Sequence, residues 1–185
     1  MTNQQRKAIE QLIDEYPYKE DEETMLLFSE LAGMKKQGFI YRSDALRILR
    51  WKSPRPTRHY EKNSESDFRS ITESAFSTRN ERLRMHSLTA LNGVKYPAAS
   101  ALLMFYDPNE YPVIDIRVWK QLYKLNLVNT NPGGQGFSLD EWITYLEIMR
   151  NAALEFHIPV RQLEKRFFDL DRVEQKARNE TLYRV

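Results

Sequence analysis

The sequence predicts an all-α fold, and three observations lead there. Apolar residues recur at spacings of three and four along most of the chain. No run alternates apolar and polar residues between turn signals, as a half-buried strand does. Helix caps and stops fall where the periodic stretches begin and end. With 41% apolar and 12% aromatic residues in 185, the chain has the material for a substantial core and is not disordered.

Ala8, Leu12, Ile13 and Tyr16 mark a first amphipathic helix that stops near Pro17. Met25, Phe28, Leu31 and Ala32 mark a second, ending before Gly38. Ser43 is the expected cap of a third, with Leu46, Leu49 and Trp51 on its apolar face and Pro54 and Pro56 beyond its end. A basic, proline-bearing loop follows over 52–63. Ser64 and Asp67 have the spacing of a capping box, opening a helix with Phe68, Ile71, Ala75 and Phe76 inside.

Ser77 is the expected cap of the next helix, with Met85, Leu88 and Leu91 on one face. Asn92-Gly93 stops it. Pro97 suits the first turn of a helix that is apolar nearly all round and therefore buried. Asp107-Pro108 ends that helix, and Asp115 caps one carrying Val118, Trp119, Leu122 and Leu125. After a glycine-rich loop, Ser138 and Glu141 open a long helix with Trp142, Leu146, Met149 and Ala153 inside. Pro159 begins the last, with Leu163, Phe167 and Leu170. From Asp171 a polar tail, 171–185, is expected to fray.

The chain has no cysteine, which excludes disulfides, thiolate metal sites and a cysteine nucleophile. His59, His86 and His157 are too scattered for ligand spacing, so no metal site and no cofactor are expected. No phosphate-binding glycine loop or serine elbow appears. No apolar run is long enough to cross a bilayer, and the N-terminal segment lacks a signal-peptide core, so a cytoplasmic monomer is expected.

Charge is unevenly spread. Residues 10–30 hold eight acids against Lys19, a net of −7, whereas residues 47–86 hold ten Arg or Lys against five acids, a net of +5. Such a division suits a basic side facing a polyanion, but charge alone favours an ordinary solvated surface with an acidic hairpin packed nearby.

The passage from Leu83 to Trp119 carries the most chemistry. Two helices joined by a tight Leu91-Asn92-Gly93-Val94-Lys95 turn place backbone N–H groups at the turn's tip, and the second helix adds its positive end. Together they can hold a phosphate without base-specific side chains.

This passage resembles the helix-hairpin-helix DNA glycosylase superfamily, which includes endonuclease III and 8-oxoguanine DNA glycosylase. Leu91, Gly93, Val94 and Ala99 match its hairpin, and Asp-Ile-Arg-Val-Trp over 115–119 is similar to the stretch opened by its catalytic aspartate. The match covers about a fifth of the chain. Lys95 stands where the hairpin's second glycine would be, and Pro97 where some members carry a Schiff-base lysine.

The resemblance implies a two-lobed helical fold with a cleft between the lobes. One lobe would span 40–125, including the hairpin over 79–106; 1–36 and 138–170 would form the other. It implies DNA as partner, with Gly93, Val94, Lys95 and Arg117 on the backbone and Asp115 as the catalytic carboxylate. The product is a glycosylase without β-lyase activity. Asp115 is also a sound helix cap, and Arg117 a sound surface residue. Trp51, Lys52 and Arg55 leave a helix into the basic loop and are candidates for flanking the cleft, or for a half-buried tryptophan with snorkelling neighbours. The alternative function is a non-catalytic helix-hairpin-helix module; a protein–protein adaptor accounts for the composition but not the hairpin.

Overall fold

The computed structural model describes residues 1–182, and among these every regular element is a helix. The first is α1 (Asn3–Glu15), opened by a Thr2 capping box and burying Ile9 and Leu12. Next comes α2 (Glu22–Glu30), capped by Asp21. Its inner face is Thr24 and Leu27, whereas Met25 is 56% exposed and Ala32 lies outside the core. The expected face holds at Phe28 and Leu31 but not at Met25 and Ala32, because the buried stripe starts from Thr24, one position earlier. A short turn, α3 (Met34–Gln37), ends at Gly38 in the left-handed region.

The cap of α4 (Arg42–Lys52) is Tyr41, not Ser43. A remote carboxylate supplies what a local hydroxyl would have: Glu65 accepts from the Arg42 amide at 3.1 Å. The basic loop contains one helical turn, α5 (Thr57–Tyr60). Ser64 and Asp67 form the predicted capping box on α6 (Glu65–Ser77). Ser77 ends α6 rather than capping α7 (Glu81–Thr89). Its hydroxyl donates back to the Ser74 carbonyl, while Asn80 accepts from the Leu83 amide at 3.0 Å.

At the centre lies α8 (Tyr96–Tyr106), whose residues Ala98 to Phe105 are all buried. It packs on α4 and α7. Asp115 caps α9 (Ile116–Lys124), and a Ser138–Glu141 capping box opens α10 (Leu139–Glu155). The last helix, α11 (Val160–Leu182), packs on α1, α9 and α10.

Residues 171–182 are helix, not a frayed tail. Asp171 is buried and accepts from Gln121 at 3.1 Å and Arg117 at 3.2 Å, while Glu174 pairs with Lys124. Polar composition signalled a tail; the polar side chains instead dock α11 on α9. Buried apolar residues from all of these long helices form one continuous cluster. No helix among the described residues is long and apolar enough to cross a membrane.

The turn between α7 and α8 is clamped from outside. Asn63, itself buried, accepts from the Asn92 amide at 2.7 Å and donates to the Tyr60 and Asn92 carbonyls at 2.9 and 3.2 Å. Gly93 closes the turn with φ of +80°, and a β-carbon there would lie 2.6 Å from the β-carbon of His59. Gly93→Ala should therefore cost about 1–3 kcal/mol through backbone strain and this contact. Gly136 shares the positive φ but has open space around it. Thermal unfolding of Gly136→Ala should show the smaller loss; equal losses would mean that the His59 contact carries none of the cost.

Candidate functional site

Asp115 reaches its position through its own segment's backbone. The stretch 111–115 runs between α8 and α9 without ladder partners, so side chains satisfy it. Ser100 on α8 accepts from the Ile114 amide at 3.0 Å, and Tyr145 on α10 donates to the Val113 carbonyl at 2.9 Å. Asp115 then turns the chain into α9, accepting from the Arg117 amide at 2.9 Å. Its other carboxylate oxygen is paired with the Lys52 ammonium from the end of α4.

Both partners are largely shielded, with side chains 13% and 17% exposed for Lys52 and Asp115. Burial pushes the Asp115 carboxyl up, but Lys52 together with the Arg117 amide and guanidinium outweighs it. The net effect holds Asp115 below the usual carboxylate range, so it stays ionised under neutral and mildly acidic conditions.

A cavity of about 400 Å³ opens beside this pair, a volume within the range of small-molecule sites. Trp51, Lys52, Asp115 and Arg117 all line it, so four of the residues singled out from sequence share one wall. Trp51 is held by donation to Thr24 at 3.0 Å and by an edge contact with Phe105.

The opposite wall was not foreseen. It comes from one face of α11, namely Arg161, Glu164, Lys165, Phe168 and Arg172, with Asp21 at the start of α2. These α11 positions repeat at spacings of three and four. A charged stripe at helical period, beside the apolar Leu163–Phe167 stripe, was the signal available in the sequence.

Beneath this wall sits a buried ionic triad. Arg161 donates to both Glu20 oxygens at 2.7 and 3.1 Å and pairs with Glu164. The three side chains are at most 6% exposed. Burial pushes the Glu164 carboxyl up further than Arg161 draws it down. Burial opposes the Arg161 charge, yet the two carboxylates raise its pKa, so the guanidinium stays charged.

Arg55 is exposed and does not line the cavity. It belongs instead to a second group. The segment after Lys52 runs from the cavity to α5, where His59 and Tyr60 meet Gly93. Arg55, Arg58, Lys62 and Lys95 are exposed along this side, and none has a counter-ion among the described residues. Not every turn amide is open: Asn92 donates to Asn63, and Val94 to Leu91. The amides of Gly93, Lys95 and Tyr96 have no acceptor among the described residues.

Val94 is buried and contributes packing around its amide. Arg117 is held by Asp171 and by Gln175 at 2.8 Å, a position at the cavity wall that the basic loop does not share. Among the described residues no cluster of three or more histidine, cysteine, aspartate or glutamate side chains has the geometry to hold a metal. Comparison with known protein families, curated proteins and solved structures finds no match to this chain.

The charge on Asp115 should depend on Lys52. In Lys52→Met the burial that raises the Asp115 pKa remains while the main force lowering it is gone, so Asp115 should titrate above its wild-type pKa. Carboxyl-carbon NMR titration of the two proteins measures this directly. An Asp115 pKa unchanged by the substitution would show that the Arg117 amide, not Lys52, keeps the group ionised.

Proposed function

We propose that the chain is a DNA glycosylase of the helix-hairpin-helix kind that hydrolyses the N-glycosidic bond of a base extruded into the Asp115 cavity. The observation that carries the reading is that Asp115, ionised and shielded, faces a cavity whose rim continues through residues 52–60 to the open amides of the Gly93 turn. A protein that removes a base must grip backbone phosphates and hold one nucleotide out of the stack. The turn and the exposed Arg55, Arg58, Lys62 and Lys95 are suited to the first task. The cavity is suited to the second.

In this reading α7, the 90–95 turn and α8 are the helix-hairpin-helix. The cavity is the cleft between two lobes, with α4–α9 on one side and α1, α2, α10 and α11 on the other. Asp115 opposes positive charge developing on the deoxyribose and orients the attacking water. Its lowered pKa favours the first role, since a carboxylate held strongly ionised is a good counter-charge and a weaker base. Pro97 leaves the first turn of α8 without an amine, and the Lys52 amine in the cavity is committed to Asp115, so the reading is hydrolysis without β-lyase chemistry. Lys52 keeps the carboxylate charged before DNA arrives, and its own charge must be turned from the sugar when the nucleotide enters.

The alternative is a DNA-binding module of the same build with no chemistry. The commitment of Asp115 to Lys52 and to the Arg117 amide is the observation in its favour. The two readings make the same backbone contacts and differ at one carboxylate.

Asp115→Asn separates them. Asparagine keeps an oxygen for the Arg117 amide but leaves Lys52 without its counter-charge, so a stability loss of about 1–2 kcal/mol is expected. Base release from a panel of duplexes with different modified bases should fall at least about a hundredfold, with DNA affinity nearly unchanged. Wild-type release from none of the duplexes, alongside binding that weakens steeply with salt, would favour the non-catalytic module. Replacing Lys95 and Arg58 by glutamine should weaken binding to all sequences alike and flatten its salt dependence. Affinity indifferent to salt and to these changes would remove DNA as the partner.

A further inference from the structure

The cavity beside Asp115 is lopsided in its chemistry. Each of its carboxylates is already engaged. Asp21 accepts from the Thr24 amide at 2.9 Å and from the Thr24 hydroxyl at 2.9 and 3.0 Å, Asp115 is taken by Lys52 and the Arg117 amide, and Glu164 by Arg161. Of its donors, Lys52, Arg161 and Lys165 are likewise engaged, by Asp115, by Glu20 and Glu164, and by Asp169, but Arg172 and part of Arg117 are not. Arg172 is exposed at the rim and has no counter-ion among the described residues. Arg117 is 34% exposed, and only its Nη1 meets Asp171 and Gln175, which leaves Nε and Nη2 without acceptors among the described residues.

The aromatic surfaces carry the same bias. The Arg161 guanidinium lies 5.8 Å from the Trp51 ring centre, while Arg117 and Lys165 lie 5.5 and 5.9 Å from that of Phe168. A ring already attracting a cation has less to offer a second, and the two cations repel. A positively charged ligand in this cavity finds Asp115 and Glu164 already paired with cations and a cation already beside both rings. Asp21, held by the neutral Thr24 donors, is the carboxylate left without an ion pair among the described residues. A neutral ligand with carbonyl oxygens finds guanidinium donors at the rim and stacking surface within.

Resting on the glycosylase reading above, we infer that the base accepted is a neutral one whose edge presents carbonyl oxygens, recognised by Arg172 and Arg117, and not a cationic alkylated base. A charge-assisted hydrogen bond to a carbonyl contributes about 1.5–3 kcal/mol, which is about ten- to a hundredfold in selectivity. Cationic bases leave DNA more readily by themselves, because the departing group is already charged. A pocket that disfavours them must therefore obtain its rate from the enzyme's side of the bond, where Asp115 stands.

The test uses the full-length protein and duplexes of one sequence carrying uracil, 8-oxoguanine or N7-methylguanine. Single-turnover release, divided by each base's spontaneous release, should be at least about tenfold greater for one or both carbonyl-rich bases than for N7-methylguanine. Arg172→Gln should lower that release about tenfold while leaving affinity for unmodified duplex unchanged. Preferential release of N7-methylguanine overturns the inference and leaves the glycosylase reading standing. Release of none of the three, where other bases in the wider panel are released, also overturns the inference alone. Release of no base at all overturns both. If Arg172→Gln instead weakens binding to every duplex equally, Arg172 holds a backbone phosphate, and the assignment of base recognition to it is overturned.

Discussion

Much of this molecule's arrangement depends on the burial of one guanidinium. An unpaired arginine in a core costs several kcal/mol, and it is tolerated only where carboxylates and geometry offset the loss of water. Arg161 meets that condition with Glu20 and Glu164, both essentially inaccessible to solvent. Glu20 lies between α1 and α2, so the demand for a second carboxylate fixes where that connection crosses α11. Asp21 follows Glu20 into the cavity wall, and the buried Thr24 behind it receives the Trp51 indole. One buried charge therefore links the N-terminal helices, α11 and the end of α4. Replacing a buried ionic triad with apolar side chains of similar volume is often neutral for stability; here it would remove what sets the wall's register.

The opposite wall is organised by backbone need. Residues 111–115 are extended and mostly buried without a neighbouring strand, and their polar groups must find partners. Ser100 and Tyr145 supply two, from helices on either side. Tyr145 is fully enclosed, packed near Trp119 and Trp142, and burial raises its hydroxyl's pKa well above the ordinary value. A tyrosine so placed is a neutral, fixed donor, and it sets the path of the segment that ends in Asp115. The carboxylate's position is thus set by the core and its charge by Lys52, two separate controls on one group.

The opposing charge fields seen along the sequence serve different ends. The acidic 10–30 region is partly internal: Glu20 is consumed by Arg161, and Asp21 caps α2 at the cavity. The basic 47–86 region divides in two. Arg47 and Arg50 have carboxylate partners in Glu30 and Glu61, and Arg84 meets Glu81, so these do not contribute an open field. What remains outward and unpaired near the Gly93 turn is Arg55, Arg58, Lys62 and Lys95. Net charge by segment overstated the open positive surface: pairing removes Arg47, Arg50, Arg82 and Arg84 from it, while Arg69 and Arg79 stay exposed without a counter-ion among the described residues.

The sequence by itself determined the helices and most of their ends, because those depend on contacts within one turn. The Ser64–Asp67 and Ser138–Glu141 boxes, the Asp115 cap and the Pro97 start rest on groups three or fewer residues apart, whereas α7 ends at Thr89, before the expected Asn92-Gly93 stop, and Gly93 shapes the turn beyond it. Local rules failed where a distant group took the local group's part, as Glu65 did for the Arg42 amide; at α7 the cap is local but falls on Asn80 instead of Ser77. Trp51, Lys52, Asp115 and Arg117 were each legible as candidates, and the resemblance set Trp51 and Lys52 beside the cleft of Asp115, but the ion pair between Lys52 and Asp115 was not legible. Lys52 and Asp115 are 63 residues apart, and Glu20 and Arg161 are separated by 141. Nothing in the spacing of such residues encodes a meeting. Only the packing of helices decides which charges are carried inward together, and a charge carried inward must find its opposite there.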